Sequence, residues 1–372
     1  MRQIACAAIL ILATGLEAQS VLPFEQTYGP YRTPTAGTVQ HEVVPNEQGA
    51  LLVWSEELNK QAVVRFALLD RNARLVSEIT TIVAPLAADN ISPAVATDGS
   101  SFLLAWTEVT PGRGFVMSQL MVLRIDPTGR PIGVPIGLQS LAVPFPEEQV
   151  TAVEWTGSAF DVWGLRYSRF RIHTNDQVEN LSPDAISFAN IGDGFLRAGW
   201  MSITTTPPCG RWWCPRVTRW VLVWSTNGTG RHEYSPMTPI GPLAAAGGGA
   251  VQLVAWLTKG GIALARIQDD RVISEDLLPS EARTSAPGVA FDGTHYLLVY
   301  LTMPDELTGV VISTDGEIAS RFPVAQGNKV YDLEVDTVAP GRFLVSYRTL
   351  ADGSNLHGRV VVTKPSRRRA AR

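Results

Sequence analysis

Cysteine is scarce in this sequence. Its 372 residues hold three, and Cys209 and Cys214 are the two that lie beyond residue 18. With no second cysteine pair, and His232 the nearest histidine in sequence, the four ligands of a structural zinc site are missing. Charge is sparse too, at 18% of residues, and a formal net charge of −4 argues against a general nucleic-acid binder. Only four of the 31 basic residues are lysine, which reflects genome base composition more than function. The 32 glycines and 25 prolines make about 15% of the chain, short of the roughly 25–30% of low-complexity polypeptides. Sustained helical periodicity is also missing. Together these absences exclude a disordered chain, a collagen and a long coiled coil. What is abundant is apolar residues, at 45%.

The apolar residues are not gathered into a membrane span. Residues 1–18 have the layout of a secretory leader: Arg2, an apolar run from Ile4 to Leu12, and Leu16-Glu17-Ala18 as the exit, with cleavage expected after Ala18. The run falls short of the ~18–20 residues a spanning helix needs, and Cys6 stands too near its start for a lipoprotein cysteine. A secreted or periplasmic location is expected. At the other end, Lys364, Arg367, Arg368, Arg369 and Arg372 form a basic tail over residues 364–372, expected to be disordered and solvated, with at most weak contact to an anionic surface. Without those five charges the body carries −9. In an oxidising compartment Cys209 and Cys214 are expected to pair. Four residues separate them, whereas a redox dithiol usually has two, so the bond would fix one local loop.

One unit recurs along residues 19–363. Its clearest copies are Pro93-Ala-Val-Ala-Thr-Asp-Gly-Ser-Ser-Phe-Leu-Leu-Ala-Trp106 and Pro287-Gly-Val-Ala-Phe-Asp-Gly-Thr-His-Tyr-Leu-Leu-Val-Tyr300. Asp-Gly between two apolar runs is a strong hairpin signal, because glycine accepts positive φ without steric cost. Weaker copies end at Trp54, Trp163, Trp200, Trp256 and Tyr347, and the seven aromatic anchors stand 37 to 57 residues apart. A third alternating segment follows each clear anchor, such as Gln119–Ile125 or Gly261–Ile267, and then a fourth, such as Arg130–Ile136. Four short antiparallel strands at a period of 40–50 residues define a β-propeller. One small sheet has two apolar faces and two open edges, and radial packing buries the faces and leaves short edges. Seven blades in a single domain are expected, six or eight being the alternatives. The seven-blade reading makes Ile203–Thr218 an insertion and Arg219–Ser225 a third strand, because Trp224 follows Trp200 too closely to be an anchor. The last unit lacks a fourth strand, and Ser20–Thr27 is the spare segment expected to supply it.

The Pro-x-Val-Ala-x-Asp-Gly-x-x-Phe/Tyr-Leu-Leu-x-Trp/Tyr unit, with a later Ile-Asp-Pro-x-Gly turn, resembles the repeats of secreted bacterial β-propeller proteins. The resemblance is strong over residues 91–137 and 285–324. It implies a fold and export, not an activity, since propellers host hydrolases, lyases, lectins and scaffolds alike.

No nucleophile elbow, zinc-protease helix, phosphate loop or dinucleotide fingerprint occurs, and the five histidines, His41, His173, His232, His295 and His357, are scattered. No cofactor or metal is expected; Asp98-Gly99, Asp292-Gly293 and Asp315-Gly316 read as turns rather than calcium loops. The ligand-binding candidates stand in connections between second and third strands, on the face where propellers usually bind: Glu108, Arg166, Tyr167, Trp212, Trp213 and Arg348. Carboxylates, arginine and exposed aromatics suit sugar or peptide recognition. The reading that follows is an exported, monomeric, non-catalytic propeller binding a protein or glycan at its loop face. A carbohydrate-active hydrolase or lyase using acidic residues of that face, and an envelope assembly scaffold, are the alternatives.

Overall fold

The structure, a computed structural model, describes residues 20–23, 41–59, 61–82, 88–113, 115–143, 152–164, 168–181, 190–191, 196–205, 217–226, 229–234, 236, 239–248, 250–280, 286–303, 305–326, 330–349 and 356–363. Cys209, Cys214, Trp212, Trp213, Arg166, Tyr167, the expected leader and the basic tail lie outside them.

Among the described residues the strands pair into seven four-stranded antiparallel sheets. After β1 (Ser20–Pro23), sheet 1 holds β2 (His41–Pro45), β3 (Gly49–Leu58), β4 (Gln61–Asp70) and β5 (Thr80–Ile82). Sheet 2 holds β6 (Asp89–Thr97), β7 (Phe102–Pro111), β8 (Val116–Ile125) and β9 (Pro131–Val143). Sheet 3 holds β10 (Ala152–Trp155), β11 (Ala159–Trp163), β12 (Arg169–His173) and β13 (Val178–Leu181). Sheet 4 holds β14 (Asn190–Ile191), β15 (Leu196–Thr205), β16 (Val217–Thr226) and β17 (Thr229–Tyr234). Sheet 5 holds β18 (Pro239–Ala246), β19 (Gln252–Thr258), β20 (Gly261–Gln268) and β21 (Arg271–Pro279). Sheet 6 holds β22 (Gly288–Phe291), β23 (His295–Met303), β24 (Glu306–Ser313) and β25 (Ile318–Gln326). Sheet 7 holds β26 (Val330–Ala339), β27 (Arg342–Thr349) and β28 (Leu356–Val362), and β1 completes it.

That completion is the expected clasp. Ser20 pairs with Val362, Val21 with Val361, Leu22 with Val360 and Pro23 with Arg359, so the first described strand is the outer strand of the last sheet. The expected insertion is shorter than Ile203–Thr218, because Ile203, Thr204 and Thr205 pair with Arg219, Thr218 and Val217 as part of the β15–β16 hairpin.

First strands neighbour the first strands of the adjacent sheets, β2 touching both β6 and β26, so they stand closest to the axis. Among the described residues six apolar clusters each join two neighbouring sheets, and one of them joins sheet 7 to sheet 1, at the two ends of the chain. This radial stacking explains why second strands read as unbroken apolar runs. In β3, Leu52 and Trp54 face sheet 7 while Leu51 and Val53 face sheet 2, and all four are buried. The seven anchors all fall on second strands. Trp54, Trp106, Trp256, Tyr300 and Tyr347 are buried, whereas Trp163 is half-buried beneath the Arg169 guanidinium. The Asp-Gly turns form as expected, with φ of 88° at Gly99 and 92° at Gly293, and each aspartate accepting backbone N–H groups two and three residues on.

Candidate functional site

In a meander of this kind, first strands begin and second strands end on the same face of the ring. Between the two faces, where sheets 7, 1 and 2 meet, polar groups gather around the inner strands. The register of β2 sends His41 toward sheet 7 and its neighbour Glu42 the other way. His41 is buried, with Nε2 2.7 Å from Ser346 Oγ and 3.4 Å from Glu334 Oε2. Glu42 Oε2 accepts a 2.6 Å hydrogen bond from the Val95 backbone N–H in β6. One dipeptide thus fastens sheet 1 to both of its neighbours.

Asp336 reaches the same region from β26. Burial, and then the nearby Glu42 carboxyl, raise its proton affinity well above the ordinary aspartate value. Burial raises Glu42 to about 8, and the Val95 N–H offsets only part of that. As whole residues Glu42 and Asp336 are half-buried. Asp336 Oδ2 is buried without a hydrogen-bond partner among the described residues. Two carboxyls so placed bind their protons more tightly than free carboxylates do. The inner strands on either side of β2 are irregular here: β6 is bulged between Ile91 and Ala94, and β26 between Tyr331 and Glu334. Bulges re-aim side chains next to functional centres.

The expected binding residues divide. Glu108 lies at the end of β7, half-buried, and burial raises its carboxyl. Arg348 is 1% exposed in β27, on the side of the strand that carries Leu344 and Ser346 toward sheet 1, so it belongs to the seam rather than to the open surface. Glu56, another acidic residue of that end, is buried and accepts from Trp54 Nε1 at 2.9 Å and from Arg65 Nη1 at 2.9 and 3.0 Å. Sequence reasoning missed Glu42 and Asp336. A charged residue inside an inner strand of otherwise apolar alternation was the available signal. Among the described residues no group of three or more His, Cys, Asp or Glu is arranged to hold a metal ion, and no helix is long and apolar enough to cross a membrane.

Four-stranded sheets ringed around an axis with inner first strands define a β-propeller. At the level of fold, the chain is similar to the Saccharomyces cerevisiae core factor, at TM-score 0.53 and 11% identity, covering 95% of this chain and 62% of that one. Other similar structures are virginiamycin B lyase from Staphylococcus aureus, at TM-score 0.47 and 12% identity over 93% of this chain and 99% of that one, and a subtype N10 neuraminidase-like protein of a bat influenza A virus, at TM-score 0.38 and 7% identity over 94% and 99%. The latter two are β-propeller-like proteins. No family model matches the sequence, and no curated protein does.

Proposed function

We propose that the chain is an exported, non-catalytic propeller of the secreted bacterial kind, which binds a protein or glycan partner on the face formed by its second-to-third-strand connections. The observation that carries this reading is a set of apolar side chains at that end. Leu58, Phe115 and Met303 are 41%, 41% and 45% exposed. Each stands at the tip of a second-to-third-strand hairpin, in sheets 1, 2 and 6. Single exposed apolar residues are ordinary, but three at equivalent hairpin tips suit a contact surface. Trp212 and Trp213, in the connection of sheet 4 at the same end, are proposed to extend it, held by a Cys209–Cys214 bond.

The test is a glycan-array and co-purification screen with three proteins: wild type, Leu58→Ser/Phe115→Ser/Met303→Ser, and Trp212→Ala/Trp213→Ala. Hits lost in both variants support the face; hits unchanged in both overturn it. Export through residues 1–18 predicts a mature protein whose N-terminal sequence begins at Gln19.

A second reading, a carbohydrate-active hydrolase or lyase, is favoured by one observation. Glu42 and Asp336 form a carboxyl pair with raised proton affinity beside the axis, and a carboxylic acid protonated at neutral pH can act as a general acid. Hydrolysis of a polysaccharide panel that is lost in both Glu42→Gln and Asp336→Asn would establish it.

A further inference from the structure

Trp224 is the tryptophan that the repeat spacing leaves without a role, and its surroundings give it one. It lies in β16, the third strand of sheet 4, directly opposite His232 of β17 in the strand register. The two rings stack at 5.5 Å with an interplanar angle of 27°. Two residues on, Tyr234 shares the His232 face of β17 and donates its hydroxyl to Glu275 Oε2 at 2.9 Å. A ladder of three rings therefore lines one side of a pocket of about 660 Å³ between sheets 4 and 5. The turn joining β20 to β21 forms the other side. Asp269 and Asp270 both have positive φ, 48° and 59°, between the paired Gln268 and Arg271, and this tight turn brings Asp270 and Arg271 to the pocket wall. Asp270 Oδ2 stands 3.6 Å from His232 Nε2.

One atom in this wall points to a ligand. Trp224 is 3% exposed, and its Nε1–H has no hydrogen-bond partner among the described residues. Elsewhere the chain satisfies buried indoles: Trp54 Nε1 donates to Glu56 and Trp106 Nε1 to Asn90. A buried donor left unpaired is costly and uncommon in native proteins. The pocket is an open groove whose volume lies inside the roughly 300–1,000 Å³ range of small-molecule sites, with Trp224 and Tyr234 set among His232, Glu233, Asp270 and Arg271.

We propose that this pocket, on the outer rim of the ring and independent of the loop face, binds a neutral or amino hexose unit. Hydroxyl groups both donate and accept. One sugar ring can therefore accept from the indole N–H and donate to a carboxylate oxygen of Asp270 or Glu233 at the same site. The C–H faces of a pyranose match the aromatic ladder, as apolar surface against ring faces. Carboxylates outnumber the single arginine, so an anionic sugar is disfavoured.

Indole N–H resonances of ¹⁵N-labelled full-length mature protein provide the test, with Trp224→Phe identifying the Trp224 signal. The probes are methyl β-glucoside, N-acetylglucosamine, glucosamine and glucuronate. The expected result is a saturable shift of the Trp224 signal at millimolar neutral or amino sugar, with the Trp54 and Trp106 signals stationary. Asp270→Ala, a change at an exposed turn, should weaken that binding at least fivefold, and glucuronate should bind at least tenfold more weakly. No movement of the Trp224 signal at 50 mM of any probe would overturn the site. So would equal binding by Asp270→Ala. Glucuronate binding as tightly as the neutral sugars would overturn the ligand class.

Discussion

His41 Nε2 lies 2.7 Å from Ser346 Oγ, a contact that joins the innermost strand of sheet 1 to the second strand of sheet 7 across 305 residues of chain. Both groups are buried, so the bond is shielded from solvent competition at the seam where the ring closes. Ser346→Ala removes the hydroxyl without adding bulk and should cost about 1–2 kcal/mol. A double-mutant cycle with His41→Ala, read by urea denaturation, should show a coupling near 1 kcal/mol. A coupling indistinguishable from zero would mean that the pair is merely adjacent.

The Glu42 carboxyl makes the stability of the protein depend on pH in a definite direction. Its folded-state pKa is raised from 4.5 to about 8, so the folded chain binds this proton more tightly than the unfolded chain does. The contribution is fully present below pH 4.5, declines as pH rises toward 8, and is gone above it. Asp336 is shifted in the same direction and deepens the decline. Glu42→Gln keeps an acceptor for the Val95 N–H and cannot ionise. Its melting temperature should fall less than that of wild type between pH 5 and 8, and should exceed the wild-type value at pH 8.5. Parallel curves for the two proteins would refute the assignment of the proton to this site.

The fold was legible in the sequence because its determinants are local. Asp98-Gly99 and Asp292-Gly293 make their turns with bonds to residues two and three positions on, and Trp106 or Tyr300 stands in the apolar run whose register is set by that turn. The clasp was legible by subtraction, since the last unit lacked a strand and the chain start had one to spare. The axial cluster was not legible. Glu42 and Asp336 stand at opposite ends of the sequence, and each looks like an ordinary charge in a strand until ring closure brings sheets 7 and 1 together. Arg348 shows the converse. It reads as a loop-face arginine, but the register of β27 turns it into the seam.

Among the described residues, the pairing of β1 with β28 is the connection between the two ends of the ring that uses backbone hydrogen bonds. Without it, β28 becomes an exposed edge and the sheet 7–sheet 1 seam relies on side chains alone. A mature chain beginning after Thr27 should melt roughly 5–10 °C lower, given about 2–4 °C per kcal/mol for a chain of this size. Limited proteolysis should then cut first within sheet 7. An unchanged melt would show that the closing strand is dispensable.

Asp98 and Asp292 occupy equivalent places in the two clearest repeats, yet they should not respond alike to substitution. The hydrogen bonds that Asp98 accepts come from Ser100 and Ser101 of its own turn, and its contact beyond the turn is a long 3.9 Å ion pair with Arg124 of the same sheet. Asp292 holds its turn through Thr294 and His295, and its second oxygen also accepts from the Gly341 N–H at 3.1 Å and the Thr363 hydroxyl at 3.2 Å, both in sheet 7 or its immediate end. It is buried, so those acceptors are not replaced by water. Asp292→Ala should therefore destabilise by about 2–3 kcal/mol against about 1 kcal/mol for Asp98→Ala. The difference has a signature beyond magnitude. Thr363→Val should be non-additive with Asp292→Ala by about 0.5–1.5 kcal/mol, because the two share a bond, and additive with Asp98→Ala within about 0.5 kcal/mol, because nothing connects them. Equal costs and full additivity in both pairs would show that the second oxygen of Asp292 contributes nothing to holding sheets 6 and 7 together.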